Sequence, residues 1–195
     1  MKHSTPLLTT FLAASLLSVA SLATANTVID FESAAPGAYN NLTIGDVTFS
    51  TNGSEMLYIN SDYAGQFNTE NQSLQNTYSS DAFNTLNISF SNVVNNFGFN
   101  FGASDEIWTL SAFDMSNNLL SSIDIPVLSA SNAGDFFSIS SSGIASATLS
   151  TTSTGDYVFV DNFTVSAIPE PSTYALMLGG LGLVGFMAAR KRKQA

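Results

Sequence analysis

Cysteine is absent from the chain, which excludes disulfides, thiolate metal ligands and thiol nucleophiles together. Basic residues are nearly as scarce: there are five in 195 residues, at Lys2, Arg190, Lys191, Arg192 and Lys193. Between Asn26 and Ile168 there is no Lys, no Arg and no His. A Ser/His/Asp triad, a His-ligated zinc, a Lys Schiff base and an Arg phosphate clamp each need a side chain that this stretch lacks. The same stretch holds 14 of the 15 carboxylates, from Asp30 to Asp161. A polyanion of that kind repels nucleic acid and anionic lipid and attracts cations, so nucleic acid is not an expected partner. Carboxylates are the only strong acid–base groups left to it.

What is present divides into three parts. Residues 1–25 read "MKHSTPLLTTFLAASLLSVASLATA". Lys2 supplies a positive start, an apolar run follows, and Ala23 and Ala25 form a small-residue cleavage site, the order of a secretory signal peptide handled by the Sec translocon. At the other end, Ala175 to Ala189 is an uninterrupted apolar and glycine run before the cations Arg190, Lys191, Arg192 and Lys193. A transmembrane helix is expected over about 173–189; as a helix the segment from Ser172 to Ala189 reaches roughly 27 Å, barely the thickness of a bilayer core. The basic cluster then stays cytoplasmic and the body faces outward. Four glycines in the run weaken such a helix as a permanent anchor. Pro169-Glu170-Pro171 precede it and keep the tether extended and accessible.

A Pro-Glu-Pro motif, a short transmembrane helix and a basic cluster in that order resemble the PEP-CTERM sorting signal, here over residues 167–195. The resemblance implies an exosortase as partner, with Pro169, Glu170 and Pro171 recognised by it rather than catalytic. It also implies a Gram-negative bacterium that makes exopolysaccharide. The protein is then an inner-membrane intermediate before it reaches the cell surface or extracellular matrix.

The body, residues 26–166, is long enough for one core and too short for two. Apolar alternation broken every ~8 to 12 residues by Asn, Ser, Gly or Asp predicts an all-β fold with no convincing helix. Expected strands are 27–32, 47–51, 56–60, 86–91, 95–101, 107–114, 119–125, 135–140, 145–151 and 157–166. Spacing and turn density favour a β-sandwich of jelly-roll type over an open sheet. On the last strand, alternation puts Asp161 on the side of Tyr157, Phe159, Phe163 and Val165. A carboxylate there needs a cation or several donors. "IDFES", "GFNFG" and "GDYVFVDNFTVS" are similar to segments of jelly-roll ectodomains and galactose-binding-type carbohydrate modules. That likeness implies a structural Ca²⁺ held by Glu32 and Asp161, with Asp30 a third candidate. The alternative is that Asp161 is solvated or amide-bonded and Glu32 is a surface residue.

Trp108, Tyr58, Tyr63 and Tyr78 are the aromatics that could stack on sugar rings, although Trp108 lies on an alternating strand where core burial is the commoner fate. The expectation is a non-enzymatic surface or matrix protein that binds polysaccharide. One alternative is a purely structural, self-associating matrix protein. Another is a glycoside hydrolase built on carboxylates alone, with Asp105 and Glu106 or Asp62 and Glu70 as its acids.

Overall fold

Alternation in "NNFGFNFG" and "IWTLSAF" gives the chain one apolar and one polar face to place, and strands do the placing. The computed structural model describes residues 26–52, 56–76, 83–130, 132–167, 177–185 and 190. Its strands are β1 (Asn26–Ile29), β2 (Gly37–Tyr39), β3 (Asn41–Ile44), β4 (Val47–Thr51), β5 (Leu57–Asn60) and β6 (Ser73–Asn76). They continue with β7 (Phe83–Gly102), β8 (Trp108–Phe113), β9 (Leu119–Ile125), β10 (Gly134–Thr154) and β11 (Phe159–Ala167). All the ladders are antiparallel.

Two long strands turn this sheet into two layers. The C-terminal part of β7 pairs with β11 and with residues 134–140 of β10. Its N-terminal part pairs with β4 and with residues 146–150 of β10, which also carry β8 and then β9. The β7–β10 pair changes layer where its register shifts, between Ser140 and Ser146. Bulges of this sort bend a strand and add twist. One layer is therefore β2-β5-β6-β11-β7-β10, with β1 also on β11, and the other is β3-β4-β7-β10-β8-β9.

Aromatic rings join the layers. Phe49 of β4 meets Phe163 of β11 edge-on at 5.1 Å between centroids, and Phe101 of β7 meets Trp108 of β8 at 6.3 Å. Phe97, Phe99 and Phe101 are fully buried, as are Trp108, Leu110 and Ala112, so the period-two pattern places every second residue inside. Among the described residues, every member of the core lies between Ile29 and Val165. The helical residues 177–185 are exposed. Among the described residues no helix is long and apolar enough to cross a membrane. The expected signal peptide, Ala23 and Ala25, the ends of the expected 173–189 helix, Pro169, Glu170, Pro171, Lys191, Arg192, Lys193 and Tyr78 lie outside the described residues.

Two expectations are corrected. The first strand ends at Ile29 rather than Glu32, because Phe31 takes a left-handed φ of 59° and turns the chain away. On β11 the alternation is interrupted: Asp161 lies opposite Asn100, but Thr164 lies opposite Gly98, with a register shift between them and Asn162 at φ 48°. Phe163 and Val165 thus face the main core, while Phe159 and Asp161 face the other side of the sheet.

That other side is covered by a strap, residues 61–72. It is folded on itself by turns, with Gly65 N–H donating to the Glu70 carbonyl at 2.8 Å and the Thr69 hydroxyl donating to the Gln66 carbonyl at 2.8 Å. The strap lies flat because Gly102 and Gly134 face each other across β7 and β10. A Cβ on Gly102 would sit 2.5 Å from the Phe67 carbonyl oxygen, and one on Gly134 would sit 2.4 Å from Asn68 Cβ. Gly102→Ala is expected to destabilise segment 26–167 by about 1–3 kcal/mol in urea denaturation and to speed proteolysis within 61–72. An unchanged midpoint with unchanged cleavage would show that the contact is not tight.

Candidate functional site

Burying an anion in a body without Lys, Arg or His leaves N–H groups as the available partners. Asp161 is fully buried under the strap. Its Oδ2 accepts from Glu70 N–H at 2.7 Å and its Oδ1 from Asn162 N–H at 2.7 Å. Glu32 holds the next turn of the strap: its Oε1 accepts from Asn71 N–H at 3.1 Å and Gln72 N–H at 2.9 Å. The Gln72 side-chain amide donates to the Glu32 carbonyl at 2.9 Å. Glu70 turns its carboxylate to the Asn162 amide at 3.3 Å. The structure thus brings Glu32 and Asp161 to one strap, together with Glu70. Asp30 is used locally, accepting from Glu32 N–H at 3.2 Å on the exposed turn.

Burial pushes the Asp161 carboxyl up to about 6. The two backbone N–H bonds pull it down and the charges of Glu70 and Glu32 push it further up. As a test of fit for a cation, the donors are all oxygen and the local charge is negative, as Ca²⁺ requires. The Gln72 side-chain oxygen is buried beside Glu32 without a hydrogen-bond partner. Among the described residues, however, no three His, Cys, Asp or Glu side chains are grouped so as to hold a metal ion. Carboxylates would supply only part of the coordination shell.

A second buried carboxylate, Asp156, was not singled out by the sequence analysis. It accepts from Asp105 N–H at 3.1 Å, Glu106 N–H at 3.2 Å, Tyr157 N–H at 2.9 Å and the Trp108 indole N–H at 2.7 Å. Trp108 is fully buried. It is a core residue and not a stacking platform, because the alternation that buries Leu110 and Ala112 buries it too. A buried indole on such a strand needs an acceptor, and that need was the available signal for Asp156. Asp105, Glu106, Asp62 and Glu70 are all exposed. Tyr58 is 39% exposed on β5. Tyr63 is half-buried against Phe159 at 4.9 Å and Phe67 at 5.7 Å, and a hydrogen bond with Tyr63 raises the Tyr157 hydroxyl above its ordinary range.

Because Asp161 holds its proton more tightly folded than unfolded, the folded state binds more protons between the ordinary carboxylate value of 3.8 and about 6. Its linkage term therefore removes stability as pH rises through that window, by about 1–2 kcal/mol after solvent screening. Carboxyl-carbon NMR of segment 26–167 is expected to show one Asp titrating near 6 that disappears in Asp161→Asn, whose stability changes less between pH 4 and 6. An Asp161 midpoint below 4 without added metal would contradict this account.

Comparison with known proteins places one segment. No curated protein matches the chain. An arabinose-bound α-L-arabinofuranosidase is 12% identical, with a TM-score of 0.44 over 67% of this chain, which spans only 27% of that protein. The K2 cleaved adhesin domain of Lys-gingipain is 10% identical, with a TM-score of 0.48 over 73% of this chain and 99% of that domain. A mutant family 29 carbohydrate-binding module is 9% identical, with a TM-score of 0.46 over 75% of this chain and 97% of the module. The PEP-CTERM protein-sorting motif matches residues 167–193. It begins at Ala167, the last residue of β11, so the folded body gives way directly to the PEP-CTERM sorting motif of an exported protein processed at the membrane by an exosortase.

Proposed function

We propose that the chain is a non-enzymatic, exosortase-sorted protein of the bacterial cell surface or extracellular matrix, whose jelly-roll body binds polysaccharide. The observation that carries this is the junction at Ala167, where a self-contained β body meets a sorting motif with no further fold between them. The body suits display rather than catalysis. It has no Lys, Arg, His or Cys between Asn26 and Ile168. The two buried carboxylates among the described residues, Asp156 and Asp161, are both occupied by backbone or indole N–H groups, whereas a glycosidase presents two acids across a cleft. Calcium between Glu32 and Asp161, with the Gln72 side-chain oxygen as a further donor, would offset the negative charge that gathers under the strap.

A second reading, self-association in a matrix, is favoured by one observation: residues 134–140 of β10 pair with β7 on one side and with no described strand on the other. An open strand edge is a template for pairing with another chain.

Replacing Pro169, Glu170 and Pro171 together by alanine is expected to leave uncut protein in the inner-membrane fraction of an exosortase-containing host. Wild type would appear as a shorter, external form on an immunoblot against the body. Identical processing of the two would remove exosortase recognition of that tripeptide. For calcium, the thermal midpoint of segment 26–167 is expected to rise in millimolar Ca²⁺ by the equivalent of a few kcal/mol, and the rise to vanish in Asp161→Ala. A wild-type midpoint that ignores Ca²⁺ would eliminate the metal.

A further inference from the structure

We propose that the outer face of β10, β7 and β11 beside the strap, centred on Phe136, is the seat for a neutral polysaccharide. This rests on the polysaccharide reading above and gives it an address. Phe136 is 48% exposed on a strand whose neighbours on that face are hydroxyl and amide residues. It lies directly opposite Asn100, and the next row of the same face runs Ser138, Gly98, Thr164 across the three strands. Asn96 belongs to the row after that, opposite Ser140.

The ring has a built support. A Cβ on Gly98 would come within 2.6 Å of Phe136 Cζ, so the phenyl group reaches over the one position of the strip that has no side chain. An aromatic laid over a sheet glycine is held down on one face, and the remaining exposure is what a sugar ring can stack on. Asn100 makes no side-chain hydrogen bond among the described residues and stands next to the ring, as a donor and acceptor for hydroxyl groups. Strands ~4.8 Å apart and same-face residues ~6.7 Å apart put these groups on the scale of successive pyranose rings.

Charge selects among glycans. The seven named residues of the strip are uncharged, and Asp161, which continues the Phe136–Asn100 row on β11, is buried under the strap, while the body around them carries carboxylates and no fixed cation. An anionic polymer is repelled by that field and an uncharged one is not. Among the described residues, the other exposed aromatic of this layer is Tyr58, on β5, on the far side of the strap, opposite Ala38 and Gln75.

The test is affinity electrophoresis of segment 26–167 in gels containing glucomannan, β-1,4-galactan or hydroxyethyl cellulose, with alginate as the anionic arm. Wild type is expected to be retarded by at least one neutral polymer and not by alginate. Phe136→Ala is expected to weaken that retardation about tenfold, Phe136→Tyr to retain it, and Met115→Ala, at an exposed turn elsewhere, to leave it unchanged. Urea midpoints of the variants check that each is folded. Retardation of wild type that Phe136→Ala does not alter overturns the seat and spares the polysaccharide reading. No retardation in any neutral gel overturns both. Preferential binding to alginate overturns the neutral class. If wild type dimerises on size exclusion, and Phe136→Ala abolishes only that, the face is an interface between copies and the proposal falls.

Discussion

Asp156 and Asp161 sink negative charge into a body that has no Lys, Arg or His to meet it. Each such anion must therefore be met by polar N–H groups, and these come from the next residue and from distant segments of the chain. Asp156 gathers donors from residues 105, 106 and 157 and from the Trp108 indole. Asp161 gathers the backbone N–H groups of Glu70 and Asn162. The two acids flank the start of β11, so one short segment fixes both the strap and the turn that leads into β8. At Asp161 burial outweighs the two amide partners and, with the two carboxylate neighbours, drives the carboxyl up to about 6.

That arrangement separates structure from surface. The buried acids are committed to holding loops, and the face beyond the strap is left to amides, hydroxyls and one aromatic ring. The body contains no cysteine. What it needs is to remain folded without disulfides, and the stacked and edge-on rings around Phe163 supply a large share of that cohesion.

The all-β character was legible because apolar alternation is a local property. β9 was predicted at its observed bounds, since it is the second arm of a hairpin whose turn Asp114 closes through Ser116 and Asn118. β6, "SLQN", escaped because it has no apolar alternation and is a strand only by its neighbours. Pairs of predicted strands proved to be single long ones in β7 and β10, because a bend between layers reads like a turn. The side on which Asp161 stands was misjudged for one reason: Asn162 takes a left-handed conformation, and an extra residue in a strand reverses every side chain before it relative to those after. Glu32 was found with Asp161, but Gln72 and Glu70 were not, since a strap meets its anchors only in three dimensions. The sorting motif was legible in full because it depends on the order of chemical types along the chain rather than on folding.

The tail leaves the body from β11, and β11 is an interior strand, held by β7 along one side and by β6 and β1 along the other. A pull applied at Ala167 in line with β11 runs along the strand axis. Ladder hydrogen bonds stand perpendicular to that axis, so the load is shared in shear over both ladders at once instead of unzipping one bond after another. The strand from which the sorting tail departs is thus braced on both sides against a load along its own axis.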